Sequence, residues 1–136
     1  TYSMTETLSG QLESYRAGWR ARVPTDRQAV MDGHVAHLAA SGIAKTAKQV
    51  GDRAPAIQLR DQHGAEFDVA SLLTKGAVVV TFYRGGWCPF CNMELKAYQA
   101  VLPRLAAAGA SLVAISPEKP DDVADTATKN ELSFPV

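Results

Sequence analysis

The chain has little of what would mark a scaffold or nucleic-acid-binding protein. Only two of its 136 residues are cysteine, too few for a disulfide framework. Its longest strongly apolar run, Ala77 to Phe82, falls far short of the roughly 20 residues a membrane-spanning helix needs. Neither charge dominates: 14 Lys and Arg stand against 14 Asp and Glu, with no basic cluster, which argues against a nucleic-acid or anionic-membrane surface. The first ten residues show no basic segment followed by an apolar one, so no secretory signal is read there; Met4 is a candidate natural start. With 46% apolar and 21% charged residues, the composition is that of a globular chain with a core rather than a disordered one.

What is present centres on the two cysteines. They stand in Trp87-Cys88-Pro89-Phe90-Cys91, after a β-branched apolar run and at the opening of a helical pattern. A thiol at a helix N-terminus meets unpaired N–H groups and the positive end of the peptide dipoles, which favour its thiolate. Residues three apart on a helical turn lie roughly 5 Å apart between Cα atoms, within disulfide reach. A CxxC pair without a secretory signal points to redox chemistry in a reducing compartment, the cytoplasm.

The surrounding pattern divides the chain into a helical extension, residues 1–49, and an α/β unit, residues 50–136. Leu8, Leu12, Tyr15 and Trp19 form one face of a first helix, which Pro24 interrupts. Thr25 with Gln28 has the spacing of a capping box opening a second helix. Its apolar face is Val30, Met31, Val35 and Leu38, and Gly42 is its stop. These helices are expected to pack on the α/β unit or on a partner subunit. Beyond Gly51, Ile57 and Leu59, then Phe67 and Val69, alternate with polar residues around Asp61-Gln62-His63-Gly64, predicting a hairpin. Ala77 to Phe82 predicts a central strand covered on both faces. Met93, Ala97, Val101 and Leu105, beside Tyr98 and Leu102, predict a core-facing helix stripe that Pro103 should kink and Gly109 end. Ser111 to Ser116 predicts a second buried strand, and Asp121 or Asp122 the cap of a helix through Lys129. Strand, helix, strand, helix predicts parallel strands. Phe134-Pro135-Val136 reads as the approach to another strand, so the sheet expected here lacks cover on one side. Continuation of the polypeptide is the favoured explanation over cover by another subunit.

Gly51-Asp52-Arg53-Ala54-Pro55, Ile57, Leu59, Asp61 and Gly64, followed by Val78 through Cys91 and Glu94-Leu95, resemble the peroxiredoxin-like (alkyl hydroperoxide reductase, thiol-specific antioxidant) branch of the thioredoxin superfamily. The block from Phe82 to Leu95 is the most specific part. The resemblance implies a thioredoxin-like fold, without its C-terminal strands in this chain, behind the helical extension. By position Cys91 matches the peroxide-attacking cysteine, Cys88 takes the place of the family's threonine, and Arg84 stands where proline is usual. Trp87 and Cys88 also fit the thioredoxin arrangement Trp-Cys-x-x-Cys, in which the first cysteine attacks substrate disulfides. The family's second arginine and the thioredoxin cis-proline loop would lie beyond Val136.

The implied activity is thiol-dependent reduction of hydroperoxides, reset by a thiol or a thioredoxin-type protein, with no metal, flavin or nucleotide required. At a pKa of about 8.5 only ~3% of a thiol is ionised at pH 7, and at about 6 roughly 90% is. The helix N-terminus and the guanidinium of Arg84, folded back over the site, are the expected sources of such a lowering. Cys91 would become a sulfenic acid and condense with Cys88. The alternative order has a more exposed Cys88 attack a protein disulfide and Cys91 resolve the mixed intermediate. Trp87 is either a packing residue or part of the site. Weaker alternatives are a non-catalytic module that homodimerises through its helices, and a zinc site joining the cysteines to the HxxH pair His34 and His37. His63, in the expected turn, reads as solvated.

Overall fold

The structure, a computed structural model, describes residues 6–136; the candidate start Met4 lies outside the described residues. The chain divides into two compact units, with the boundary after Pro55.

The first unit holds α1 (Leu8–Arg22), α2 (Thr25–Ala40) and a single turn, α3 (Ile43–Thr46). The Thr7 side chain accepts the Gly10 N–H and opens α1, as a short hydroxyl side chain does at a helix N-cap. Thr25 is not the cap of α2. Pro24 holds that place without a side-chain bond, because its fixed φ suits the entry to a helix. Gln28 closes no capping box either: its amide donates back to the carbonyls of Arg20 and Val23 at 2.8 and 2.7 Å, fastening α2 to the end of α1. Arg20 and Asp32 add a bidentate pair between the helices, at 2.8 and 3.2 Å. Leu8, Leu12, Tyr15 and Trp19 are half-buried, whereas Val30, Met31, Val35 and Leu38 are exposed. α2 ends at Ala40, and Gly42 follows with a left-handed φ of 78°.

The second unit opens with an antiparallel hairpin, β1 (Gln58–Arg60) and β2 (Glu66–Asp68), in the register Leu59↔Phe67. The Asp61 carboxylate accepts the N–H groups of His63 and Ala65 and shapes the turn, the local bonding that makes aspartate a turn residue. Val69, expected to continue the strand, instead begins α4 (Val69–Leu73), because Asp68 caps it by accepting the Ala70 N–H. β3 (Val78–Phe82) and β4 (Ser111–Ile115) pair in parallel, Val80 opposite Val113. β4 is the buried strand; β3, expected to be covered on both faces, is only half-buried, and Phe82 is exposed. Residues 134–136 form no strand, though the Pro135 carbonyl accepts the Ala114 N–H.

α5 (Pro89–Ala107) joins the two strands and runs through Pro103 without interruption. Pro103 is exposed, so the carbonyl its ring deprives of a partner faces the wet side of the helix. The core stripe of α5 is Cys91, Leu95, Tyr98, Leu102 and Leu105, not the series through Met93, Ala97 and Val101. Tyr98, Leu102 and Leu105 of the expected stripe are in the core, whereas Met93, Ala97 and Val101 are not, and Val101 is exposed. α6 (Pro120–Lys129) follows β4; Asp121 and Asp122 lie within its first turn and Lys119 takes the cap position. There the two carboxylates act on the helix dipole rather than as caps. The core gathers Cys88, Cys91 and Leu95 of the helix and its entry with Leu112 and Ala114 of β4, Ala127 of α6, Tyr83, Phe134 and Val136. No helix among the described residues is long and apolar enough to cross a membrane.

Candidate active site

β3 ends at Phe82, and after five intervening residues the chain enters α5 with Cys88 as its N-cap and Pro89 in the first helical position. Proline suits that place, since its missing N–H would be unpaired anyway. Cys91 therefore sits in the first turn, directly over its partner. Both are free thiols, and they approach each other to 3.3 Å. Neither lies on the surface: Cys88 is 4% exposed and Cys91 8%, so Cys88 is not the more open of the two. The residues between and before them are open, Trp87 at 66% and Phe90 at 37%. The thiols thus lie beneath a thin outer layer.

Two influences meet on Cys91. Burial, with the adjacent Cys88 adding to it, pushes its thiol above the ordinary value, the reverse of the lowering expected from the helix terminus, while backbone N–H groups of Arg84 and Gly85 favour the thiolate. The Arg84 N–H reaches Sγ at 3.4 Å. Desolvation prevails because a thiolate gives up water on burial and receives few charges in return. The guanidinium of Arg84 does not fold over the sulfurs. It stacks on Trp87, 4.7 Å from the ring centroid, so Arg84 meets Cys91 through its backbone. Tyr83, beside them in the core, has its hydroxyl pushed up to about 12, mainly by burial; a hydrogen bond with Ser116 pulls it down, and the Glu118 carboxylate adds to the rise.

The loop between β3 and α5 is held by residues the sequence did not single out. Glu118 accepts the Gly86 N–H at 2.6 Å, the Tyr83 hydroxyl at 2.9 Å, and the hydroxyls of Ser116 and Thr126 at 3.2 and 3.3 Å. On the other side of the same residue, the Gly86 carbonyl accepts Asn92 Nδ2 at 2.8 Å and Lys129 Nζ at 3.3 Å. Asn130, buried, steadies Asn92 by donating to its Oδ1 at 2.8 Å. The Gly85 carbonyl accepts the Cys88 N–H at 3.1 Å and closes the turn. The signal that could have found Glu118 is its place just past the carboxyl end of a parallel strand, where functional groups collect in open α/β sheets.

A cleft of about 510 Å³ borders this loop, lined by Arg84, Trp87, Glu118, Lys119, Asp122 and Asp125 among others. A larger hollow of about 680 Å³ lies on β1, β2 and α4 and includes none of the site residues. His34 and His37 belong to α2 of the first unit, and His63 is exposed in the hairpin turn. Among the described residues no three His, Cys, Asp or Glu side chains gather in a way that could hold a metal.

The chain is similar to several known proteins. A curated Mycobacterium tuberculosis protein, provisionally named a peroxiredoxin, is 33% identical over 86 residues, 63% of this chain and 54% of its own length. The chain therefore spans about half the length of the curated relatives it matches. The crystal structure of peroxidoxin BcpB from Mycobacterium tuberculosis superposes with a TM-score of 0.62 at 28% identity, over 65% of this chain and 58% of that one. A thiol:disulfide interchange protein of the thioredoxin family from Chlorobium tepidum gives a TM-score of 0.54 at 28% identity, over 66% and 61% of the two chains. The fold is thus thioredoxin-like, and the model of the AhpC/TSA family matches residues 50–136. Over that span, which contains both cysteines and the loop that seats them, the chain belongs to the AhpC/TSA family.

Proposed function

We propose that this protein is a thiol-dependent peroxidase whose redox centre is the pair Cys91 and Cys88. The observation that carries the reading is the seat of Cys91: first turn of α5, the Arg84 N–H on its sulfur at 3.4 Å, and a second thiol 3.3 Å away. The Cys91 thiolate attacks one oxygen of a hydroperoxide. An S–O bond forms, the O–O bond breaks, and the leaving alkoxide or hydroxide takes a proton. Cys88 then attacks the sulfenic sulfur, an S–S bond forms and water leaves. A thiol or a thioredoxin-type protein returns the pair to dithiol by exchange. Burial favours this reading over a larger substrate. A hydroperoxide is small enough to reach a sulfur beneath a thin layer of side chains, whereas a protein disulfide needs an exposed one. Trp87, open and stacked under Arg84, is the face the reductant would meet. The cycle needs no metal, flavin or nucleotide, and the dithiol resting state suits the reducing cytoplasm.

A second reading is a thioredoxin-type thiol–disulfide oxidoreductase with Cys88 as the attacking thiol. It is favoured by the upward push of burial on Cys91, since the sulfur that keeps its proton is the poorer nucleophile. Cys88→Ser and Cys91→Ser, each treated with hydrogen peroxide and a sulfenate trap before mass spectrometry, separate the two. Under the peroxidase reading Cys88→Ser forms the trapped sulfenate and Cys91→Ser does not. If only Cys88 reacts, and the chain reduces disulfides but ignores peroxide, the second reading replaces the first.

A further inference from the structure

We infer that Glu118 is a positioning residue of the thiol site: by holding the Gly86 N–H it fixes the loop whose Arg84 N–H points at Cys91. This rests on the reading of Cys91 as a reactive sulfur. Its four bonds are unlike those of a surface carboxylate. Three hydroxyls, from Tyr83, Ser116 and Thr126, converge on a half-buried Glu118, and the fourth donor is the shortest, the Gly86 N–H at 2.6 Å. The hydroxyls come from the end of β3, the end of β4 and from α6. They fix the carboxylate in place, and the carboxylate in turn fixes the peptide two residues before Cys88.

The room left for that loop is small. A Cβ built on Gly86 would lie 2.1 Å from Thr126 Oγ1, and one on Gly85, whose φ is 153°, would lie 2.4 Å from Trp87 Nε1 and 3.0 Å from Glu118 Oε1. The chain can follow this path only with glycine at both positions. Two glycines are also the residues most free to wander once unclamped. Residues 84–86 thus have little conformational preference of their own, and Glu118, with Asn92 and Lys129 on the opposite carbonyl, supplies it. The weak N–H to sulfur bond at 3.4 Å depends steeply on that geometry.

Charge and reach make different predictions, and two substitutions separate them. Glu118→Gln keeps the length and an oxygen for the Gly86 N–H while losing the charge; two of the three hydroxyls can turn to accept from its amide N–H groups. Glu118→Asp keeps the charge but is one methylene too short to hold all four donors. Both are made in the full chain carrying Cys88→Ser, so that Cys91 is the only thiol. The readout is the pH profile of Cys91 alkylation by iodoacetamide, with circular dichroism to check the fold. The other ionisable groups facing this loop, Tyr83, Arg84, Lys119, Asp122, Asp125 and Lys129, are unchanged in both variants.

Positioning predicts that Glu118→Asp moves the profile to higher pH and slows alkylation at pH 7 about threefold or more, the equivalent of roughly half a pKa unit. Glu118→Gln stays close to the parent. The inference is overturned if neither variant moves the profile, if both move it equally, or if Glu118→Gln alone moves it downward, which would be the signature of a bare charge effect. Alkylation needs no peroxidase turnover. A chain inactive toward peroxide would still answer this question, and failure of the clamp would leave the assignment of Cys91 standing.

Discussion

Burial and hydrogen bonding act on Cys91 with opposite signs, and the balance has a consequence for stability that can be measured without any assay of function. A thiol whose pKa is raised in the folded chain binds its proton more tightly there than in the unfolded chain. Its contribution is therefore complete below the unfolded value, about 8.5, and is lost as pH rises through the folded one. Tyr83, pushed up to about 12, acts with the same sign at higher pH, from its ordinary value of about 10 upward. The thermal midpoint under reducing conditions should thus fall between about pH 8.5 and 10 in the native chain, and less steeply in Cys91→Ser. Equal slopes in the two would mean that burial of Cys91 is not the source. Much of the site was legible at this level. The CxxC placed both thiols at a helix entry, because the spacing and the preceding β-branched run fix that geometry. Depth was not legible. Whether a cysteine at a helix N-cap is open or covered depends on the core cluster it joins, which draws Tyr83, Phe134 and Val136 from separate parts of the chain. Glu118 was hidden for the same reason, since its partners Gly86 and Thr126 lie 32 and 8 residues away.

Among the elements, α5 best separates what periodicity tells from what it does not. Helix, start and end were readable from the CxxC entry and Gly109. Tyr98, Leu102 and Leu105 were placed correctly, but one edge of the face was misplaced because alanine and valine at Ala97 and Val101 carry the same apolar signal as Leu95, and a stripe shifted by one residue fits a 3.6-residue period nearly as well. Packing decides, and Leu95 is 1% exposed where Val101 is 36%. Leu95→Ala should therefore cost about 2–5 kcal/mol, the range for emptying a full core position. Val101→Ala should cost less than about 1 kcal/mol. Urea denaturation followed by far-ultraviolet circular dichroism compares them. Similar costs would restore the stripe through Val101. Caps were the least readable feature. Thr25 and Asp121 have the chemistry of caps, yet Pro24 and Lys119 hold those positions, since one or two residues of slip at a helix entry turn a cap into a first-turn residue.

The whole molecule joins two units with unequal means of holding themselves together. The second has a core of side chains from five segments, with Leu95, Leu112 and Val113 fully covered. The first has two helices of 15 and 16 residues and, among the described residues, not one that is buried. Helices of that length are marginal in water unless an apolar face is covered, and Val30, Met31, Val35, Leu38 and Ile43 are all open. Local opening should follow this inequality, because exchange protection tracks buried apolar contact. Amides of α1 and α2 should exchange orders of magnitude faster than those of β4 and the middle of α5 in dilute solution. Homodimerisation through the helices, expected only as a weaker alternative from the sequence, makes a distinct prediction. Hydrogen exchange read at two protein concentrations tests this directly. Protection of α2 should rise with concentration while that of β4 stays constant, and Val35→Glu should abolish the rise. Protection that is high and independent of concentration would show that the helices need no second copy, and the dimer would have to be given up.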